Sequence, residues 1–144
     1  MPIRQRNLDL ETDGMKRSVS VRLGAISGGE TQLIFAAPVP CRVDSIDIYS
    51  GDQVPLASTT ASSTLITIKV QRASDSATVG ERGTSATTTT TNTINANVRY
   101  RIIPSANNSL SVGTALRVQI SGSGILSGVL CVTNYTPLNH RETR

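Results

Sequence analysis

The sequence is poor in aromatic residues and in the side chains that favour surface helices. It has no tryptophan, and its only aromatic side chains are Phe35, Tyr49, Tyr100 and Tyr135. Lysine occurs only at Lys16 and Lys69, and glutamate is also scarce. No window carries apolar residues with the 3.6-residue period of an amphipathic helix. A core of valine, isoleucine, leucine and alanine favours thin, close-packed sheets, so the sequence predicts an all-β protein.

The chain also has little with which to build a metal centre or a catalytic site. Cys41 and Cys131 are its only cysteines and His140 is its only histidine, whereas a zinc site needs three or four ligands. Both cysteines lie in apolar segments, so we expect two buried, reduced thiols; a disulfide is the alternative if their strands are neighbours. His140 stands near the end of the chain, without an ordered pocket for a general base. We predict no enzymatic activity and no cofactor.

The acidic residues form only a weak cluster, at Asp44, Asp47 and Asp52. On a regular strand Asp44 and Asp47 would point to opposite faces. We therefore interpret them as solvated charges that flank a turn. A calcium site is the alternative, because hard cations bind several oxygens, but no EF-hand-like spacing supports it. No metal site is predicted.

Positive charge exceeds negative charge by four, but it is scattered along the chain. A basic protein can bind nucleic acid, yet the arginines do not gather into a stripe and few aromatic side chains are present to stack on bases. No apolar run approaches the roughly 20 residues that span a bilayer. The first residues lack the apolar segment of a signal peptide. We expect a protein that is used without secretion and binds neither nucleic acid nor membrane directly.

Alternating apolar and polar residues predict about seven short strands. They lie at 18–23, 31–37, 41–49, 64–72 and 94–102, and a final hairpin joins 116–121 to 129–135. The apolar residues change from odd positions, Cys41 and Val43, to even positions, Ile46 and Ile48. A bulge near Asp44 and Ser45 would explain this change. The strand at 64–72 is predicted to turn Thr67, Lys69 and Gln71 outward. Residues 73–91, rich in Ser and Thr, are predicted to form an outward-facing loop; because threonine favours strands, an exposed edge strand in part of it is the alternative.

These strands indicate an antiparallel β-sandwich of jelly-roll or Greek-key type at 17–138. Many short strands separated by turns are typical of sandwiches and barrels. The long connections after Tyr49 and Arg72 favour Greek-key crossovers over a simple meander. Residues 1–16, charged and without a period, are predicted to be an extended N-terminal arm, and residues 139–144 a C-terminal tail.

Four features occur together in this order: the charged arm, the segment Ala-Pro-Val-Pro-Cys-Arg-Val-Asp-Ser-Ile at 37–46, the Ser/Thr-rich middle, and the closing pattern Leu110-x-x-Gly113-x-x-Leu116-x-Val118-x-Ile120-x-Gly122. In this arrangement the sequence resembles the capsid cement, or head decoration, proteins of tailed bacteriophages. The resemblance covers most of residues 18–138. It implies a jelly-roll structural protein of the virion, made in the host cytoplasm. Such a protein sits as a homotrimer on the capsid surface and stabilises the shell by bridging subunits of the major capsid protein.

The arm is then expected to make the contacts with the capsid. Arginine suits ion pairs in partly desolvated interfaces, and apolar side chains of the arm would insert into grooves. The predicted partner-binding residues are Ile3, Arg4, Arg6, Leu8, Leu10, Lys16, Arg17 and Arg22. One alternative is a trimeric phage fibre or receptor-binding jelly-roll module that contacts host-surface carbohydrate. Another is a cellular immunoglobulin-like module, against which the lack of a Cys-Trp-Cys pattern counts.

Overall fold

The computed structural model describes residues 15–26, 29–51, 54–55, 66–82, 93–94, 96–122 and 128–138. Within these ranges the chain is all-β, as predicted, and has no helix that could span a membrane. The strands are β1 Arg17–Arg22, β2 Thr31–Ala36, β3 Cys41–Ser50, β4 Val54–Pro55, β5 Ile66–Arg72, β6 Thr78–Arg82, β7 Thr93–Ile94, β8 Tyr100–Ile102, β9 Ser109–Leu110, β10 Ala115–Gly122 and β11 Val129–Pro137. Most of the predicted arm, residues 1–14, and the tail at 139–144 lie outside the described residues.

Nine of the strands, eight main strands and the short β9, form two antiparallel sheets around one core. Sheet one has the order β1-β11-β3-β8, with β9 beside the start of β3, and sheet two has the order β2-β10-β5-β6. β4 and β7 form a separate pair. When only the eight strands are counted along the chain, the sheets have the orders 1-8-3-6 and 2-7-4-5. This order is that of a jelly roll, so the predicted fold class is confirmed.

The last two long strands do not form the predicted hairpin. β10 pairs with β2 and β5 in sheet two, whereas β11 pairs with β1 and β3 in sheet one. An alternating pattern specifies which face of a strand is buried, but not which sheet the strand joins. The connection after Gly122 therefore crosses between the sheets. Among the eight strands, only β5 and β6 follow each other within one sheet.

Within the segment 73–91, residues 73–77 form a turn whose middle is exposed, but the outward-facing loop is wrong for 78–82. Thr78–Arg82 forms β6 at the edge of sheet two, and Val79 is 0% exposed. Val70 and Gln71 of β5 pair with Gly80 and Thr78, so Val79 is an extra residue that a bulge turns into the core. Residues 83–91, which include five consecutive threonines, lie outside the described residues.

Two further strand predictions need correction. The strand predicted at 94–102 is divided into β7 and β8, because Asn97 turns the chain with a φ of 61°. On β5, Thr67 and Gln71 face away from the core as predicted, but both are buried. β5 lies inside sheet two, where Arg117 Nε donates to Gln71 Oε1 at 3.2 Å from the neighbouring strand. Long side chains of β10 thus cover the outer face of β5.

The bulge predicted near Asp44 and Ser45 is confirmed. The consecutive residues Asn134 and Tyr135 of β11 pair with Ser45 and Val43, so Asp44 is the extra residue on β3. A bulge changes the parity of a strand, which lets β3 bury side chains of both parities. The fully buried apolar residues on its two sides are Cys41, Val43, Ile46 and Ile48.

The core is aliphatic apart from one aromatic pair. The rings of Phe35 and Tyr135 lie with their centroids 5.0 Å apart. Around them the largest fully buried side chains are Ile26, Ile46, Ile48, Ile68, Ile102, Leu116, Ile120 and Val43. Full burial of such a side chain stabilises a fold by about 1.5–3 kcal/mol. The core therefore has the composition that the sequence predicts.

The two cysteines are free and buried, as predicted. Cys41 pairs with Pro137 across β3 and β11, whereas Cys131 pairs with Ile48. Because Cys41 lies opposite Pro137, it is separated from Cys131 by about the distance between residues 131 and 137 of β11, roughly 20 Å. A disulfide needs Cα atoms about 4.4–6.8 Å apart, so the two cysteines cannot form one in this fold. Burial raises the pKa of Cys131 to about 12; burial and the nearby Asp44 raise that of Cys41 to about 11. Both side chains are therefore neutral thiols near pH 7.

Thr133 carries a buried hydroxyl that has no hydrogen-bond partner among the described residues. Its side chain is 0% exposed and faces the core opposite Ile46. Thr133→Val keeps the shape and removes the unsatisfied group, so we expect the free energy of unfolding in urea to rise by about 1–3 kcal/mol. The control Thr133→Ser keeps the hydroxyl and should lower it. A valine variant less stable than the wild type would contradict the prediction.

Candidate binding surface on sheet one

A chain of hydrogen bonds crosses the outer face of sheet one. Because Ile46 and Ile48 face the core, Ser45 and Asp47 of β3 face outward. Ser18 Oγ of β1 donates to Asn134 Oδ1 of β11 at 2.6 Å. Asn134 Nδ2 in turn donates to Ser45 Oγ at 2.9 Å and to Asp47 Oδ2 at 2.8 Å. We call the set Ser18, Asn134, Ser45, Asp47 and Arg101 the polar belt.

Arg101 of β8 completes the polar belt through a two-point ion pair with Asp47. Its Nε donates to Oδ1 at 2.7 Å and its Nη2 to Oδ2 at 3.1 Å. The Asp47 side chain is only 7% exposed, against 40% for Arg101. Burial opposes ionisation of Asp47, but hydrogen bonds from Arg101 and Asn134 outweigh it and hold its pKa below the usual 3.8. The sequence-based interpretation of Asp47 as a solvated charge is therefore wrong.

Asp44, another residue of the predicted acidic cluster, bonds to partners other than Arg101. Asp44 accepts a hydrogen bond from Arg42 Nε at 3.1 Å and another from Thr136 Oγ1 at 2.5 Å. Its position at the bulge, and not beside a turn, places it next to these partners. Asp52 lies outside the described residues. In the part of the chain that the structure describes, no group of three or more His, Cys, Asp or Glu side chains could hold a metal ion.

A groove of about 350 Å³ lies beside the polar belt, and all belt residues except Asp47 line it. Arg17 at the start of β1 pairs with Tyr135 near the end of β11, so the described chain begins and finishes at the same end of the sandwich, the terminal end. The groove carries cationic side chains and also the apolar Ile103, which is 61% exposed. We call it the terminal groove; its lining residues are Lys16, Arg17, Ser18, Asp44, Ser45, Arg101, Ile103 and Asn134. Such a surface suits a partner that is acidic and partly apolar.

Three of the predicted partner-binding residues fall within the described ranges. Lys16 and Arg17 both line the terminal groove. Arg22 lies at the other end of β1, about 17 Å from Arg17. There it lines a smaller depression of about 230 Å³ with Tyr49 and Leu130. The predicted residues outside the described part of the chain are Ile3, Arg4, Arg6, Leu8 and Leu10.

Sequence reasoning did not find the polar belt. Asp47 and Arg101 are 54 positions apart, and Asp47 and Asn134 are 87 apart. No local pattern joins residues at such separations. The available signal was that Asp47 and Arg101 each interrupt an apolar strand with a charge of opposite sign, which would be costly if either were buried alone.

No protein-family model matches the sequence, and no curated protein is significantly similar to it. A chain of the cyanophage Pam1 capsid asymmetric unit is similar in structure, with 17% identity and a TM-score of 0.46 over 87% of this chain and 86% of that chain. A chain from the disulfide-linked pili of Bacillus endospore appendages has 10% identity and a TM-score of 0.37, over 88% of this chain and 89% of that chain. A longer chain, from the infectious bursal disease virus VP2 subviral particle, has 17% identity and a TM-score of 0.25. The match covers 85% of this chain but only 38% of that chain. The fold assignment rests on the strand order of this chain.

The ion pair of Asp47 predicts how stability changes with pH. Its pKa is lowered in the folded state, so its ionised form contributes stability above the unfolded value of about 3.9. That contribution is lost as pH falls through the folded pKa. We expect Asp47→Asn to be less stable than the wild type at pH 7, by about 1–3 kcal/mol, and the difference to shrink in acid. Urea unfolding at a series of pH values measures it.

Glu81→Gln is the matched control, because Glu81 is more exposed and its pair with Lys69 is longer, at 3.8 Å. Such pairs contribute little to stability. The control should follow the wild-type pH curve closely. If the Asp47→Asn curve also ran parallel to that of the wild type, the ion pair would not hold the carboxylate in its ionised form.

Proposed function

We propose that this chain is a structural virion protein, a capsid cement or decoration protein. It binds the outside of a phage head and stabilises the shell by bridging subunits of the major capsid protein. The observation that carries the proposal is the place where the arm enters the sandwich. Lys16 and Arg17 connect the arm to β1 and line the terminal groove beside the exposed Ile103. In the proposal, the arm and the terminal groove act together as one contact surface.

A rigid sandwich with an arm can contact two neighbouring subunits at once. A fully extended arm of 16 residues spans at most about 55 Å, enough to reach beyond the sandwich. Each exposed ion pair contributes only about 0.2–1 kcal/mol, so several contacts must act together. Repetition over a symmetric shell then adds many weak contacts into stable attachment.

The proposal includes a homotrimer on the capsid surface, without enzymatic activity, a cofactor, or direct contact with nucleic acid or membrane. The exposed apolar side chains support further contacts between protomers. Leu33 and Val112 are each 64% exposed. Leu33 lies on the outer face of sheet two, and Val112 lies in a turn at the terminal end. Contact with neighbouring protomers would remove such side chains from water.

The oligomeric state tests one part of the proposal. Light scattering at micromolar concentration should report about three chains of 15.2 kDa. If Leu33 lies between protomers, Leu33→Ser should lower the association constant of the trimer. The same holds for Val112→Ser at its site. A wild-type chain that stays monomeric while unfolding cooperatively would contradict the trimer.

Binding to shells assembled without this protein tests the function itself. Deleting residues 2–14 should leave the melting temperature nearly unchanged, since β1 begins at Arg17, but should abolish decoration. Lys16→Glu should weaken it several-fold, because this position lines the terminal groove. Arg22→Glu is the comparison on the same strand, and its effect measures how far the contact extends along β1.

If the truncated protein decorates shells as well as the full chain, the arm does not hold the contacts. Loss of attachment to host cells with shell binding intact would favour the alternative, a fibre or receptor-binding module that contacts carbohydrate. Particles purified with and without the protein supply both measurements.

A further inference from the structure

Three of the four edge strands of the sandwich are protected against pairing with another chain. β8 is only three residues long. β2 has a bulge, because Leu116 and Arg117 pair with Phe35 and Leu33 and leave out Ile34. The outer edge of β6 is covered by the segment after β8, whose Ser105 N donates to Val79 O at 2.8 Å. Short length, bulges and covering segments are the devices that keep sheet edges from associating.

In the described part of the chain, β1 has none of these protections. It is six residues long, contains no proline, and pairs with β11 without a bulge. Among the described residues, no strand pairs with its other edge. Val19 lies on the core-facing side, opposite the buried Thr133, yet it is 38% exposed. β1 therefore offers both backbone groups and apolar surface at an open edge.

The hydrogen-bond pattern shows which backbone groups face that edge. One pair beyond β1, Leu23 N donates to Val129 O at 2.8 Å. Hydrogen-bonded pairs alternate along an antiparallel ladder, so Val19 and Val21 bond to β11. The N–H and C=O groups of the residues between and beside them point the other way. These residues are Ser18, Ser20 and Arg22.

We propose that β1 binds β1 of a second copy of this chain, antiparallel and about a two-fold axis through Ser20. The two copies of sheet one then form one continuous sheet. In this register Ser20 pairs with Ser20 of the second copy, Ser18 with Arg22, and Val19 with Val21. The groups that point to the open edge bond to each other, and Val19 is covered.

Charge, paired length and side-chain direction select this register over its neighbours. A shift of two residues in one direction would place Lys16 directly opposite Arg22, and like charges directly opposite each other destabilise a pair of strands. A shift of two residues in the other direction would leave only Ser20, Val21 and Arg22 of β1 paired. A shift by one residue would turn core-facing side chains toward the opposite face. The register through Ser20 pairs residues 18–22 of the two copies, with Lys16 and Arg22 only diagonal to each other.

The pairing is isologous, since each copy contributes the same surface, and it closes at two chains. It is separate from the three-fold contact of the proposed function and does not depend on it. In a trimer it would join one trimer to the next. The pairing thus adds a second way in which copies of this chain hold each other on a surface.

Cross-linking at the axis tests the proposal. In a hydrogen-bonded antiparallel pair the Cα atoms are about 5.5 Å apart, within the range of about 4.4–6.8 Å for a disulfide. Ser20→Cys should therefore form a covalent dimer of two 15.2 kDa chains under mild oxidation. Ser18→Cys is the control on the same strand and face, because its equivalent in the second copy is more than about 10 Å away. Equal cross-linking of the two variants would overturn the proposal.

A second pair of variants tests the backbone contact without a new cysteine. Ser20→Pro removes an N–H that faces the open edge and leaves the ladder to β11 intact, whereas Ser20→Ala removes only the hydroxyl. In sedimentation velocity over a range of concentrations, the wild type and Ser20→Ala should associate through this edge and Ser20→Pro should lose that step. Cooperative urea unfolding of Ser20→Pro checks its fold. Association of Ser20→Pro equal to the wild type, or no such step in the wild type, overturns the proposal.

Discussion

The extra residue at Asp44 is the feature on which both faces of sheet one depend. Before it, Cys41 and Val43 face the core; after it, Ile46 and Ile48, which have the opposite parity, face the core. A regular strand that kept Val43 in the core would also direct Asp47 inward, where a carboxylate without a partner is very costly. The bulge instead places Asp47 on the outer face beside Arg101 and Asn134. One inserted residue therefore completes the core and assembles the polar belt.

On both outer faces of the sandwich, polar side chains of neighbouring strands bond to each other. The polar belt connects all four main strands of sheet one, and on sheet two Arg117, Gln71 and Gln119 join through hydrogen bonds of 3.2 Å. The terminal groove borders the polar belt, and Lys16 and the exposed Ile103 add a cationic and an apolar side chain there. The open backbone groups lie along β1. Contacts with other molecules are accordingly expected at an end and an edge of the sandwich, which suits a protein that bridges its neighbours.

Most strands could be predicted from the sequence because alternation depends only on neighbouring residues. The bulge was predictable for the same reason, since the change of parity between Val43 and Ile46 is local. The sheets that β10 and β11 join could not be predicted, because the alternation in each strand shows which face is buried but not which strands pair with it. Val79 was missed since a bulge, not alternation, turns it inward from a segment rich in Ser and Thr. The ion pair of Asp47 and Arg101 joins positions 54 apart, so only the folded chain brings it together.

The central claim, that this jelly roll binds the outside of a shell through its terminal end, is tested most directly by electron cryomicroscopy. Shells with and without the protein should differ by a β-sandwich on the outer surface. The account predicts that its terminal end, marked by Met15 and Leu138, faces the capsid and that density for the arm runs to a neighbouring subunit. Identical shells, or a sandwich that contacts the capsid only through the opposite end, would contradict it.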